Sequence, residues 1–363
     1  MPRLARLVTT LAAPLPFSGA DAAPHLESRS ASRLLVQRGD TGLIVQKVQP
    51  LATASTVSFP APWPRRFGTS AASPAADLVV FAGPHALRAV DQSGSPRWEI
   101  RHRCWAGCAG HTDFSEYADD RDHRYANRGS AGFSSDGTTV WAHVHGPLEH
   151  DAPDHDRREE WLVIDAADGA VLARTQTGTA AAGSVHVPHP DPGQMGLTIG
   201  EGQDGSPLRW GNWDGHALIV HSFGDEDRVL LGVSPSGDCL LTVTHDQDVL
   251  AVHRVADGSV VAELTADVLP SHPAFEEEAT DDEAQVFFDY EGGFVDESTL
   301  VVGTVESDEE FGTGRHWLVD AVHMRLIDQI TYPFEVPALP NTLGDGTWYT
   351  VSELNQALHI WAL

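Results

Sequence analysis

A unit of short strands and tight turns recurs along this chain of 363 residues, and it limits the possible folds more than any other feature. In the clearest copy, the turn Ser234-Pro-Ser-Gly-Asp238 precedes strand-like segments over residues 239–244 and 249–255. Ala256-Asp-Gly258 then leads into a last segment over 259–265. Asp and Gly both tolerate the positive φ that tight hairpins require. Helical periodicity is scarce, so the pattern predicts an all-β fold built from repeated four-stranded units.

The copy at the C-terminus is one strand short. Segments over 347–351 and 357–363 supply its later strands, and no outer strand follows them. Residues 3–11 alternate polar and apolar side chains roughly as that missing strand should. A β-propeller can complete its last blade with an N-terminal strand, which leaves no open gap. We therefore predict one domain, residues 1–363: a seven-bladed β-propeller of four-stranded antiparallel blades, closed by an N-terminal strand in the last blade. The predicted blades cover approximately residues 33–60, 66–102, 128–176, 184–223, 228–267, 292–333, and 339–363 plus 3–13.

Several inner turns resemble the repeats of known propellers. Phe133-Ser-Ser-Asp-Gly137 and Val233-Ser-Pro-Ser-Gly237 look like the F-S-P-D-G element of the WD-repeat superfamily. Ile360-Trp361 sits where the third strand of such a blade ends, and Val90-Asp-Gln-Ser-Gly94 with Trp98 is similar to a quinoprotein-type repeat. The Gly-His and Trp-Asp dipeptides of strong WD repeats are largely absent, so the resemblance implies the seven-bladed fold and no specific family.

The charge of the chain argues against nucleic-acid binding. Asp and Glu total 52 against 23 Lys and Arg, which gives a formal net charge of -29. Such a chain would be repelled by phosphate backbones, so we predict no nucleic-acid partner. No apolar run approaches the roughly 20 residues that a transmembrane helix needs, so we also predict no membrane association. We expect a monomer.

Cysteine usage and the N-terminus bear on location. Three cysteines are too few for a disulfide framework and favour a reducing compartment, so we expect a cytoplasmic protein. The alternative is secretion, because residues 1–6 are basic, 7–17 are moderately apolar, and Ala20-Asp-Ala-Ala23 resembles a cleavage site.

Four long acidic insertions interrupt the strands, over residues 103–128, 146–160, 267–291 and 306–316. The blade assignment makes all four project from one face. Long loops on a rigid scaffold are where binding sites concentrate, and acidic loops suit a basic partner. We therefore predict a docking face for a protein partner that is basic where it binds. The alternatives are a cation site and loops that are acidic only because the whole chain is. The residues predicted to carry this binding are Trp105, Tyr117, Asp119, Asp120, Glu277 and Asp282.

The first insertion contains Cys104-Trp-Ala-Gly-Cys108, flanked by His102 and His111. A structural zinc site needs four ligands, and Asp113 or His123 would have to complete the shell. The sequence has no second cysteine pair, so we interpret the segment as a loop with free thiols and predict no metal site and no cofactor.

No local motif of catalysis is found. The sequence lacks a Gly-x-Ser-x-Gly elbow and a phosphate-binding loop, and we predict no catalytic residues. We interpret the chain as a non-catalytic, WD40-like propeller that acts as a protein-binding scaffold through its acidic loop face. The alternative is a propeller enzyme (a metal-dependent lactonase, lyase or hydrolase) with its site at the central channel. Such sites are assembled from distant positions and leave no local motif.

Overall fold

The structure divides into two compact units. It is a computed structural model, in which the four-blade unit is Pro14–Ser222 and the three-blade unit combines Met1–Ala13 with Phe223–Leu363. The described residues are 2–15, 22–29, 32–48, 55–108, 110–124, 128–152, 158–223, 227–273, 286–304, 314–336 and 339–363.

The chain begins with two strands that belong to the three-blade unit, β1 (Arg3–Leu4) and β2 (Arg6–Ala12). Four antiparallel sheets of four strands then form the four-blade unit, and in each sheet the strands pair in chain order. Blade 1 contains β3 (His25–Arg29), β4 (Ser32–Arg38), β5 (Gly42–Val48) and β6 (Thr56–Pro60); blade 2 contains β7 (Thr69–Ala72), β8 (Leu78–Ala82), β9 (Ala86–Asp91) and β10 (Pro96–Arg101). Blade 3 contains β11 (Ser130–Phe133), β12 (Thr139–His145), β13 (Glu159–Asp165) and β14 (Val171–Gln176); blade 4 contains β15 (Gly183–Pro188), β16 (Gln194–Gly200), β17 (Leu208–Trp213) and β18 (Leu218–Ser222).

Three further sheets form the three-blade unit. Blade 5 contains β19 (Arg228–Val233), β20 (Cys239–Thr244), β21 (Val249–Arg254) and β22 (Val260–Thr265); blade 6 contains β23 (Gly292–Phe294), β24 (Thr299–Gly303), β25 (His316–Asp320) and β26 (Arg325–Thr331); blade 7 contains β27 (Asn341–Thr342), β28 (Trp348–Val351) and β29 (Ala357–Ala362). Helical segments among the described residues are α1 (Arg121–Arg124) and the 3-10 turns Arg65–Phe67, Phe114–Glu116, Gly202–Asp204 and Ala266–Val268.

The N-terminal strand completes blade 7, as predicted. β2 pairs antiparallel with β29, from Arg6 opposite Ala362 to Ala12 opposite Ala357. β1 adds a feature that the sequence did not indicate, because Arg3 and Leu4 pair in parallel with the outer strand β26 of blade 6. The predicted fold class, an all-β propeller of seven four-stranded blades, is confirmed. Blade 1 contains one strand, β3, that precedes the predicted segment 33–60.

Close packing of tryptophan joins neighbouring blades in the four-blade unit. Trp141 and Trp161 of blade 3 are both fully buried, with ring centroids 5.1 Å apart. Gly211 of blade 4 lies against them, and a Cβ at this position would be 2.5 Å from the Trp141 ring. The absence of a side chain at residue 211 therefore lets the backbone of blade 4 approach these rings.

A second pair of tryptophans joins neighbouring blades in the three-blade unit. Trp348 and Trp361 of blade 7 are fully buried in a cluster that includes Val301 and Leu318 of blade 6. The Trp361 indole also donates a hydrogen bond to the buried Thr350 hydroxyl, over 3.0 Å. The Trp348 indole donates to the Tyr332 hydroxyl over 3.0 Å, so both indole N–H groups of this largely apolar interface are satisfied.

Substitution of Trp361 tests this packing. Trp361→Ala should lower the free energy of unfolding by about 3–5 kcal/mol, because it leaves a cavity and an unpaired Thr350 hydroxyl. The matched control is Leu363→Ala, whose side chain is 47% exposed and which should change stability by less than about 0.5 kcal/mol. Urea denaturation followed by tryptophan fluorescence measures both. Equal effects of the two substitutions would contradict the packing described.

Candidate functional site

The candidate site lies in the connection from β10 to β11, residues 102–129. Its start is fixed to neighbouring turns by backbone hydrogen bonds, from the Arg103 N–H to the Pro147 carbonyl (3.0 Å) and from the Trp105 N–H to the Pro84 carbonyl (2.9 Å). His102 forms an isolated β-bridge with Leu148. Beyond this start, the regular elements among its described residues are the short turn Phe114–Glu116 and α1, so side-chain contacts hold much of the rest together.

Four side chains of this connection converge. The Sγ atoms of Cys104 and Cys108 and one ring nitrogen each of His111 and His123 all lie within 4.8 Å of one another. The Cys108 Sγ is 3.1 Å from the His111 Nε2 and 3.4 Å from the His123 Nε2. The two Nε2 atoms are 3.1 Å apart. We call these four residues the Cys/His cluster.

Two carboxylates orient the imidazoles of the cluster. The Glu116 carboxylate lies 3.0 Å from the His111 Nδ1, and the Asp120 carboxylate lies 2.7 Å from the His123 Nδ1. Hydrogen bonds from the Thr112 hydroxyl and His111 lower the pKa of Glu116 to about 2. The pKa of Asp120 is lowered by the Asp122 backbone N–H and by His123. Both carboxylates are therefore ionised at neutral pH and accept from Nδ1–H, which turns the Nε2 lone pairs towards the cysteines.

The cluster is largely shielded from water. Cys104 is fully buried, and only 6% of His123 is exposed. Tyr117 stacks on His123 with ring centroids 4.7 Å apart, and its hydroxyl lies 2.7 Å from the His85 Nδ1. Burial raises the pKa of the Cys104 thiol to about 12. A bound divalent cation would oppose that shift, because coordination deprotonates a thiol.

The chemistry of the donor set is that of a structural metal site. Two sulfurs and two imidazole nitrogens form the Cys₂His₂ set that Zn²⁺ binds with tetrahedral geometry. From the sequence, we predict a loop with free thiols, and His123 and Asp113 are alternatives for the last ligand position. The structure places His123 in the cluster, and the Asp113 carboxylate accepts from the Ser115 N–H instead. His102, the other histidine beside the cysteines, directs its Nδ1 to the Arg103 carbonyl.

The residues predicted to bind a partner fall into three groups. Trp105 and Tyr117 are buried, with 6% and 1% of their surface exposed, and Trp105 packs in the cluster that contains Trp141 and Trp161. Asp119 and Asp120 are exposed on the connection. Glu277 and Asp282 lie outside the described residues.

The described parts of the first two acidic insertions are in contact in the four-blade unit. Besides the bridge between His102 and Leu148, the Glu149 N–H donates to the Arg101 carbonyl over 3.0 Å. The Arg101 guanidinium also donates to the Glu149 carboxylate, over 3.3 Å. The other two insertions belong to the three-blade unit, and residues 274–285 and 305–313 within them are outside the described part of the chain.

A second polar cluster links blades 3 and 4. The Ser184 hydroxyl lies 3.1 Å from the His143 Nδ1, and the Glu159 carboxylate lies 3.3 Å from the His143 Nε2. The same order of hydroxyl, imidazole and carboxylate activates the nucleophile in the active sites of many enzymes. Here His143 is fully buried, and Glu159 accepts from the Thr179 hydroxyl and the Ala181 N–H. The arrangement therefore cross-links blades 3 and 4, with Ser184 itself partly exposed.

Comparisons with known proteins support the fold. No family model matches the chain, and none of the curated proteins compared is significantly similar. A chain in the crystal structure of the mitotic checkpoint complex matches with a TM-score of 0.56 and 10% identity, over 98% of this chain and 91% of that one. The fold is a seven-bladed β-propeller. At this identity the likeness shows the fold alone.

Two propeller structures match with lower scores. The C-terminal WD40 domain of Sif2 has a TM-score of 0.49 and 9% identity, with 100% of this chain and 99% of that chain covered. The propeller domain of Cps50 (Swd1) from Myceliophteria thermophila has a TM-score of 0.38 and 9% identity, with 82% and 96% covered. Among the described residues of the present chain, no helix has the length and apolar character that a bilayer crossing requires.

His186, which is linked to the second polar cluster through the Ser130 hydroxyl, should make the stability of the protein depend on pH. The Trp161 indole donates to its Nε2 over 2.9 Å, and its Nδ1 lies 2.8 Å from the Ser130 hydroxyl. Burial lowers the pKa of His186 to about 3. Below pH 6.5 the unfolded chain takes up a proton that the folded chain does not, so the stabilisation present above pH 6.5 is lost as the pH falls towards 3.

His186→Gln should reduce this dependence by up to about 1.4 kcal/mol per pH unit, because the amide can keep both hydrogen bonds and does not titrate. The control is His216→Gln, on an exposed turn between β17 and β18. Urea denaturation at pH 7 and pH 5 measures both variants. The account of His186 fails if its substitution leaves the pH dependence of the wild-type protein unchanged.

Proposed function

We propose that this propeller is a non-catalytic scaffold that binds a basic protein segment through the acidic surface of its four-blade unit. We call this surface the acidic surface and define it by the exposed carboxylates of residues 102–129 and 146–152: Asp113, Glu116, Asp119, Asp120, Asp122 and Glu149. The single observation that carries the proposal is that two acidic insertions lie together on one rigid scaffold, joined by the bridge between His102 and Leu148.

Charge favours a basic partner. The chain has a formal net charge of -29, so a neutral or acidic segment gains no electrostatic attraction from it. Complementary charge steers association and excludes like-charged competitors. A chain of similar fold is found in the crystal structure of the mitotic checkpoint complex, so a fold of this kind can be part of a protein assembly.

The alternative of a metal-dependent enzyme receives less support. A catalytic metal keeps a coordination position open for water or substrate. The Cys/His cluster already offers four protein donors, and two of its residues are buried. We also propose that the protein is cytoplasmic and monomeric.

Neutralising the acidic surface tests the proposal. Asp119→Asn with Asp122→Asn should reduce capture of basic partners from a cell extract several-fold, because two rim charges contribute mainly to electrostatic attraction. The measurement is quantitative mass spectrometry of captured proteins at low and moderate salt. The variant should also show a weaker salt dependence than the wild-type protein.

The matched control is Asp168→Asn, an exposed aspartate on the turn between β13 and β14 of the same unit. Its oxygen accepts from the Ala170 N–H, which an asparagine oxygen can also do. The proposal is contradicted if the double variant and the control retain the same partners in the same amounts.

A further inference from the structure

We propose that Cys104, Cys108, His111 and His123 bind one structural Zn²⁺ ion, which fastens the connection between blades 2 and 3. This inference goes beyond the proposed scaffold function and does not depend on it. It contradicts our prediction from the sequence that the cysteines are free thiols without a metal.

The three distances among Cys108, His111 and His123 fit a tetrahedral ion, and the Cys104 Sγ lies within 4.8 Å of the other three donors. Zinc bonds of about 2.0–2.1 Å to nitrogen and about 2.3 Å to sulfur place neighbouring ligands about 3.4 Å (N to N) and about 3.6 Å (N to S) apart. The corresponding distances here are 3.1 Å between the two Nε2 atoms, and 3.1 and 3.4 Å from the Cys108 Sγ to each. Each lies within about 0.5 Å of the edge expected for a tetrahedron around zinc.

The orientation of the imidazoles gives a second geometric argument. Glu116 and Asp120 lie against the Nδ1 atoms of His111 and His123, so the Nε2 atoms are the ring nitrogens that face the cysteines. The two Nε2 atoms lie 3.1 Å apart, and both are close to the Cys108 Sγ. One cation can be bound by both nitrogens and by the two nearby sulfurs.

The surroundings match those of a closed zinc site. Histidines that bind metals usually donate their other ring N–H to a carboxylate, which fixes the ring and raises its basicity. Both histidines have such a partner, and Tyr117 covers the face of His123. Two thiolates with two imidazoles select zinc over magnesium or calcium, which prefer oxygen ligands.

The position of the cluster explains what the ion would do. Its ligands join the start of the connection (Cys104 and Cys108) to α1, which contains His123. The intervening chain has little regular secondary structure, and metal binding can supply folding free energy that a small core cannot. The zinc ion would therefore fix the backbone from which Asp119 and Asp122 project.

The first experiment is metal analysis of the full chain, expressed without a histidine tag in zinc-supplemented medium and purified without chelators. We expect about one zinc ion per chain by mass spectrometry of metals. Cys108→Ser and His123→Gln should each reduce this to near background. The control Cys239→Ser removes a cysteine of the three-blade unit and should retain the full zinc content.

A second measurement does not depend on the folding of any variant. Wild-type protein, stripped of metal and reloaded with Co²⁺, should show the visible bands of tetrahedral cobalt and thiolate-to-cobalt charge transfer. Octahedral cobalt spectra, or no uptake of either metal by folded protein, would overturn the proposal. So would a Cys104–Cys108 disulfide in protein purified under reducing conditions.

Substitution of Asp120 tests whether its carboxylate positions the His123 ring for metal binding. Asp120→Asn should keep zinc bound and weaken its affinity by about 10–100-fold, because the imidazole loses its ionised partner. Competition with a chromophoric chelator measures this affinity. The neighbouring control Asp119→Asn should leave it unchanged, and equal affinities for the two variants would show that Asp120 does not position a ligand.

Discussion

The pairing of strand edges is the constraint on which this fold depends, because backbone groups left at the edge of a sheet need partners. β2 covers the outer edge of β29, and β1 continues onto the outer edge of β26. The first dozen residues therefore contribute strands to two blades. The same pairing explains why the three-blade unit combines residues from both ends of the chain.

The connection between blades 2 and 3 follows a different rule, since few of its backbone groups belong to a sheet. Side chains organise it instead, through the carboxylates of Glu116 and Asp120, the imidazoles they orient, and the two cysteines. A rigid connection loses less conformational entropy when a partner binds, which favours affinity. The proposed zinc ion and the proposed docking surface thus support each other physically, although either can exist without the other.

The blades could be predicted from the sequence because their signals are local. Turns such as Ala256-Asp-Gly258 and alternating strands identify each hairpin, and the strand missing after β29 pointed to residues 3–13. The site could be predicted only in part. Cys104 and Cys108 are close in sequence, but no periodic pattern shows that His123 approaches them or that Glu116 and Asp120 orient the rings. Trp105 and Tyr117 are aromatic residues in a polar loop, which suggested exposure; the loop folds back and buries both.

X-ray absorption at the zinc edge of untagged, full-length protein tests the central claim most directly, because it reports the ligands of the ion as well as its presence. The account predicts a first shell of two sulfurs at about 2.3 Å and two nitrogens at about 2.0–2.1 Å. A zinc edge with only oxygen and nitrogen neighbours, or no zinc in correctly folded protein, would contradict it.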